Sequence, residues 1–169
     1  ERAVAVGVWD YMHQNGYGLV GKDLVPAAVA HMRDSGVSAP WGQAGRAGAI
    51  FPRAYPDLFD ESGKLVKQPD FTAFDEWTSQ WPDAKHYMIY ANGWGDFGRD
   101  PGDEKVNQPE LDEDQRRFGE VMKAWAAHMK QRGIDPSRIM ICLVDEPAGM
   151  AQSRIVRYWG RAIKAAVPE

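Results

Sequence analysis

The sequence predicts an α/β fold, namely half of a (β/α)8 TIM barrel with about four βα units. Apolar, strand-like runs alternate with segments of helical periodicity along the 169 residues, which implies parallel strands with helices packed outside. The helix-to-strand connections are short and the strand-to-helix connections are long, as in barrels whose long loops build the site. Residues 1–169 are therefore expected to be one segment, the N-terminal half of a barrel catalytic domain. A doubly wound sheet is the alternative.

The first half of the chain holds two predicted strands and two predicted helices. Val4–Trp9 is apolar at nearly every position, as expected for a strand buried on both faces. Asp23 is the predicted N-cap of a helix that runs from Leu24 to Asp34 and ends at Gly36. The other two elements are a short strand over Val37–Pro40 and a helix over Phe71–Trp81.

The second half repeats this order. A strand over Lys85–Ala91 is followed by a helix that begins near the acidic turn 112–114 and closes at Gly133. The last two elements are a strand over Arg138–Val144 and a helix over Met150–Val167. Both edges of such a half-barrel would be open, so we expect the segment to associate with the remainder of the barrel or with a second half-barrel chain.

The composition argues against two classes of partner. A nucleic-acid groove needs a basic stripe, whereas the net charge of this chain is −4. No apolar run approaches the roughly 18 residues of a membrane span. The chain opens with Glu1-Arg2 and no visible signal peptide, which we interpret as the start of a processed or excised chain.

We expect neither a metal ion nor another cofactor. The four histidines do not pair at metal-ligand spacing. The run 16–21 matches the dinucleotide pattern GxGxxG, but it begins several residues after its strand, and no acidic residue follows the second strand to hold a ribose. The single cysteine, Cys142, lies in an apolar run and is interpreted as a buried, unreactive thiol.

The main candidate for chemistry is the run Asp145-Glu146-Pro147, which directly follows the fourth predicted strand. Barrel enzymes place their catalytic groups at this end of the strands. Adjacent carboxylates repel each other, and partial burial would raise the pKa of at least one of them, as a general acid near neutral pH requires. Pro147 is expected to hold Glu146 extended. The other interpretation is that Asp145 caps the next helix and Glu146 is solvated.

Aromatic residues near strand ends indicate a carbohydrate ligand. The chain has seven Trp, six Tyr and six Phe, and several lie in Gly- and Pro-rich loops, where they could stack on the flat faces of sugar rings. Some of them, including Trp9 and Tyr90, would also suit a barrel core. The predicted substrate-binding residues are Trp9, Asp10, Trp41, Tyr90, Asn92 and Trp94.

Three short runs resemble a known family. The run 141–147, Ile-Cys-Leu-Val-Asp-Glu-Pro followed by a helix, is similar to the Asp-Glu signature of glycoside hydrolase family 123 and its uncharacterised barrel relatives. The opening run 7–11, Gly-Val-Trp-Asp-Tyr, and the third strand 86–90, His-Tyr-Met-Ile-Tyr, fit the same pattern. In layout the resemblance covers most of the chain.

The resemblance implies substrate-assisted, retaining hydrolysis of N-acetylhexosaminides such as β-N-acetylgalactosaminides. The 2-acetamido oxygen of the sugar would attack the anomeric carbon while Glu146 protonates the leaving oxygen. Asp145 would orient the acetamido group and stabilise the charged oxazolinium. An adjacent acidic pair suits this mechanism because it needs no enzyme nucleophile. The resemblance also implies a secreted or periplasmic location.

Two alternatives use the same residues. Many retaining glycosidases carry Asn-Glu-Pro at this position, so Glu146 could be the acid/base partner of a nucleophile outside this chain. The chain could also be a carbohydrate-binding or scaffold module without turnover.

Overall fold

The computed structural model describes residues 4–8, 24–43, 50–91, 97–103 and 105–168. A three-stranded parallel sheet in the order β1-β2-β3 forms its centre. The strands are β1, Trp41–Gln43; β2, Tyr87–Tyr90; and β3, Ile139–Cys142. The register pairs Gln43 with Tyr90 and Tyr90 with Cys142, so these three residues mark the carboxyl edge of the sheet.

Four α-helices accompany the strands in the described ranges. They are α1, Leu24–Asp34; α2, Thr72–Ser79; α3, Gln108–Gln131; and α4, Met150–Ala166, with two short 3-10 helices at Pro56–Leu58 and Pro136–Arg138. Gly36 and Gly133 adopt positive φ angles of 88° and 74°, which confirms their predicted role in ending α1 and α3. The predicted cap Asp23 lies outside the described residues.

The start of α3 was predicted about one turn too late. Asn107 accepts a hydrogen bond from the backbone N–H of Glu110 at 3.0 Å, and the Glu110 carboxylate accepts one from the N–H of Asn107 at 3.2 Å. This reciprocal capping box fixes the first turn of the helix at Gln108. None of the described helices combines the length and the apolar character needed to cross a membrane.

The predicted half of a (β/α)8 barrel is wrong. The described residues form a sheet of three strands, and the described part of the predicted first strand Val4–Trp9, residues 4–8, contributes an isolated bridge between Gly7 and Ala39. Val4 is 80% exposed and Val6 is 46% exposed, so this segment lacks the covered faces of a barrel strand.

The reason for the error is physical. Alternating elements and long strand-to-helix loops occur in parallel βα sheets of every kind, whereas barrel closure depends on strand tilt and stagger, which an apolar pattern does not encode. The second strand was also misplaced, because β1 begins at Trp41, just after the predicted range Val37–Pro40. Without the half-barrel, the expected pairing with the rest of a barrel or a second half-barrel chain loses its basis.

One face of the sheet is buried under the helices. Tyr87 and Ile89 of β2 are 2% and 0% exposed, and the ring of Trp77 in α2 meets that of Tyr87 edge-on at 5.4 Å. The pocket between β3, α3 and α4 is lined by Ile139 and Ile141 on the sheet side. Aromatic rings fill much of this core, including Phe51, Phe74, Phe97, Phe118, Trp125 and Trp159.

A buried carboxylate anchors the described part of the loop after β2 to α3. Asp114 is 7% exposed and accepts hydrogen bonds from the backbone N–H of Arg99 at 2.7 Å and from its guanidinium at 2.8 Å. We expect Asp114→Ala to lower the free energy of unfolding by about 2–3 kcal/mol, because both donors lose a partly buried acceptor. Urea denaturation measures the change.

The matched control is Glu120→Ala on the same helix, which breaks only the surface pair of Glu120 with Lys123. That change should cost less than about 0.5 kcal/mol. Equal losses for the two variants would show that the Asp114 contacts do not anchor the loop.

Candidate functional site

The acidic pair lies beyond the carboxyl end of β3, and open parallel βα sheets bind ligands at this edge. β3 ends at Cys142, the next two residues are buried, and Asp145 and Glu146 are both exposed. The N-cap position of α4 is Gly149, with no side-chain capping bond. The first half of the alternative interpretation, in which Asp145 caps this helix, is therefore wrong, whereas its second half, a solvated Glu146, is confirmed by the exposure of that residue.

The backbone turns at Glu146. Its φ angle is 44°, and it is the one non-glycine residue in the described ranges with a positive φ. The extended conformation predicted from Pro147 is therefore wrong. Neighbouring side chains of an extended chain point in opposite directions, and a left-handed residue removes that alternation. Such a residue costs about 1–3 kcal/mol and is often found at functional sites.

Both acids are open to solvent. The partial burial expected from their position after an apolar strand is not present, because the run becomes exposed immediately after Val144. Water would be excluded from Asp145 and Glu146 only when a bound ligand covers them. This exclusion of water strengthens electrostatic interactions in a closed site.

The pKa of Cys142 depends on the Asp145 carboxylate. Burial raises the pKa of the Cys142 thiol, a hydrogen bond with the Val144 backbone lowers it, and the Asp145 carboxylate raises it. The thiol also donates to the Val144 carbonyl at 3.4 Å. The charge of Asp145 therefore acts on Cys142, the residue paired with Tyr90 in the sheet.

This coupling predicts a change in thiol reactivity. Asp145→Asn removes a negative charge that raises the pKa of Cys142, so more thiolate is present at pH 8 and the uncharged reagent iodoacetamide should react faster, by roughly two- to threefold. The rate of alkylation as a function of pH measures the shift. Glu146→Gln is the control, because it changes the net charge equally but should accelerate alkylation of Cys142 less. If both variants accelerate alkylation equally, the placement of Asp145 is contradicted.

Two of the predicted sugar-binding aromatics form a pair. Tyr90 ends β2 and is half-buried, and its ring stacks on that of Trp41 at a centroid distance of 6.3 Å and an angle of 13°. Trp41 is only 4% exposed and lies within β1 instead of in the loop after it. Trp41 therefore supports the ring of Tyr90, and Tyr90 is the better candidate to contact a ligand.

The other four predicted ligand contacts, Trp9, Asp10, Asn92 and Trp94, lie outside the described residues. The structure thus places Asp145 and Glu146 beyond the carboxyl end of β3 and Tyr90 at the paired end of β2, where the ring of Tyr90 stacks on that of Trp41. In the described part of the chain, no group of three or more His, Cys, Asp and Glu side chains could hold a metal ion.

Comparison with known proteins adds no relative. No family model, curated protein or solved structure matches the chain. The resemblance to glycoside hydrolase family 123 is therefore untested and stays a prediction, and the proposal that follows depends on the residues and their geometry.

Proposed function

We propose that the chain is a glycoside hydrolase that cleaves β-N-acetylhexosaminides with the help of the substrate's own acetamido group. One observation carries the proposal: two adjacent carboxylates lie just beyond the carboxyl end of the parallel strand β3, on a backbone that turns at Glu146. Tyr90, on the neighbouring strand and in register with Cys142, supplies an aromatic surface at the same edge.

The two carboxylates have separate roles in this reaction. The acetamido oxygen of the sugar forms a bond to the anomeric carbon, the glycosidic C–O bond breaks, and Glu146 gives its proton to the leaving oxygen. Asp145, as an anion, accepts a hydrogen bond from the acetamido N–H and stabilises the positive oxazolinium. Water then attacks the anomeric carbon, the bond from that carbon to the acetamido oxygen breaks, and a proton of the water passes to Glu146, which gives a product with retained configuration.

A non-catalytic sugar-binding module is the second candidate. The exposure of both carboxylates favours it, because a general acid works best when its surroundings keep it protonated near the working pH, and solvent does not do this. Carboxylates beside an aromatic ring also suit hydrogen bonding to sugar hydroxyls without any bond cleavage.

The decisive experiment follows an aryl β-N-acetylgalactosaminide and the corresponding glucosaminide by release of the phenol, with NMR detection of the first-formed anomer. We expect cleavage with the β-anomer as the initial product, and inhibition by a thiazoline analogue of the oxazolinium. An α-anomer would exclude the substrate-assisted route. Binding of N-acetylgalactosamine without cleavage would instead favour the sugar-binding module.

A further inference from the structure

A row of arginines lies along the exposed side of α4. Arg154, Arg157 and Arg161 are spaced by three and four residues, which places them on one helical stripe, and all three are exposed. The helix Met150–Ala166 also contains Lys164 and no acidic residue, although the whole chain has a net charge of −4. Positive charge is therefore concentrated on this helix.

The row forms one wall of a groove between α3 and α4. The groove has a volume of about 580 Å³, within the usual range for small-ligand sites. Its opposite wall is a neutral stripe of α3, made of Gln108, Leu111 and Gln115. Pro101 lies in the lining as well, so the groove extends to the anchored loop after β2.

The acids of α3 do not face the arginine row as ion-pair partners. Glu110 and Asp114 interact with Arg99, and Glu113 pairs with Arg117 at 2.5 Å. Asp112 accepts a hydrogen bond from the side chain of Gln108, a groove residue, at 2.6 Å. Ion pairing between α3 and α4 therefore does not explain why the row is basic.

The three arginines have no hydrogen-bond or ion-pair partner within the part of the chain that the structure describes. Other arginines in the described ranges do have partners: Arg33 pairs with Asp83 at 2.9 Å and Arg117 with Glu113. The guanidinium groups of the arginine row on α4 offer donors in a fork geometry that fits the oxygens of phosphate and sulfate.

Tyr158 completes the groove without adding negative charge. Its hydroxyl donates to the carbonyl of Leu111, and its backbone carbonyl accepts from the Gln115 side chain at 3.3 Å. Burial raises the pKa of Tyr158, and the carboxylates of Asp112 and Asp114 raise it further. The hydroxyl is therefore protonated at neutral pH and holds the two helices together at the base of the arginine row.

We propose that this groove is a binding site for a multivalent oxyanion, that is, a ligand with two or more neighbouring phosphate or sulfate groups. Residues spaced by three or four along a helix are separated by about 4.5–6 Å along its axis, so two adjacent guanidinium groups can each meet one tetrahedral anion. The proposal does not depend on the glycosidase activity.

Calorimetric titration of the 169-residue chain with inorganic pyrophosphate and, separately, with inorganic sulfate tests the site. We expect pyrophosphate to bind more tightly than sulfate, and the variant R154Q/R157Q/R161Q to lose pyrophosphate affinity by roughly tenfold or more, since it removes the charged hydrogen bonds of three guanidinium groups. The matched control is K64Q/K85Q/K123Q, which removes three exposed positive charges elsewhere and should change the affinity less than about twofold.

The proposal is overturned if pyrophosphate does not bind to the unmodified chain, or if the arginine variant binds it with the same affinity as the unmodified chain. It is also overturned if the lysine control loses as much affinity as the arginine variant, because that would indicate a general charge effect. Binding to vesicles with anionic lipids but not to pyrophosphate would also overturn it, in favour of a membrane surface. Circular dichroism of both variants verifies that the helices are intact.

Discussion

Replacing Glu146 with glutamine is expected to lower kcat for hydrolysis of a β-N-acetylhexosaminide by about 10²–10⁴-fold, the usual contribution of a general acid. Glutamine keeps the size of the side chain but cannot donate the proton that the leaving oxygen needs. The KM should change little, because the lost interaction is made in the transition state. Initial rates over a range of substrate concentrations separate the two parameters.

The leaving group supplies a sharper readout. A dinitrophenolate leaves without protonation, so Glu146→Gln should slow its release far less than the release of a sugar or of unsubstituted phenol. Glu76→Gln, an exposed position on α2, is the matched control and should leave both rates unchanged. If the variant slows all leaving groups equally, Glu146 is not the general acid.

The sequence located α1 well because the end of this helix has a local cause. The helix over Leu24–Asp34 was predicted with both bounds correct, and its end is fixed by Gly36, which adopts the left-handed conformation. Barrel closure could not be predicted from such local patterns. Closure is a property of the whole sheet, and the exposed residues Val4 and Val6 show that an apolar run is not sufficient evidence of a buried strand.

The candidate site was predicted in part, and its position was the easier part. Residues that follow a parallel strand come to the carboxyl edge of the sheet, so the location of Asp145 and Glu146 followed from the order of elements. Their exposure and the φ of Glu146 depend on how the loop meets α4, which local pattern does not determine.

The aromatic count is a weak indicator of a ligand for a different reason. Of the seven Trp, those at 41, 77, 81, 125 and 159 are at most 4% exposed. Composition cannot separate rings that pack in a core from rings that bind a sugar, because both are apolar surfaces. The arginine row of α4 was overlooked, although its spacing and the absence of acidic residues in that helix were a readable signal.

Substituting Trp125 with alanine is expected to lower the free energy of unfolding by about 3–5 kcal/mol, a large share of the total for a domain of this size. Trp125 is 0% exposed and lies in the C-terminal half of α3. Its ring makes edge-on contacts with Phe51 at 5.0 Å and with Phe74 at 5.3 Å, so its removal leaves a cavity that fixed neighbours cannot close. Urea denaturation followed by circular dichroism measures the loss.

Trp125→Phe keeps an aromatic ring in the same place and should lose less, since more of the cavity remains filled. Lys123→Ala, on the exposed side of the same helix, should stay within about 0.5 kcal/mol of the unmodified chain. The loss in free energy of unfolding should therefore be largest for Trp125→Ala, smaller for Trp125→Phe and smallest for Lys123→Ala, in the order of the buried volume that each change removes. A loss below about 1 kcal/mol for Trp125→Ala would mean that α3 does not pack on this aromatic core. The sheet edge that carries Asp145 and Glu146 would then lack the rigid support that a functional site requires.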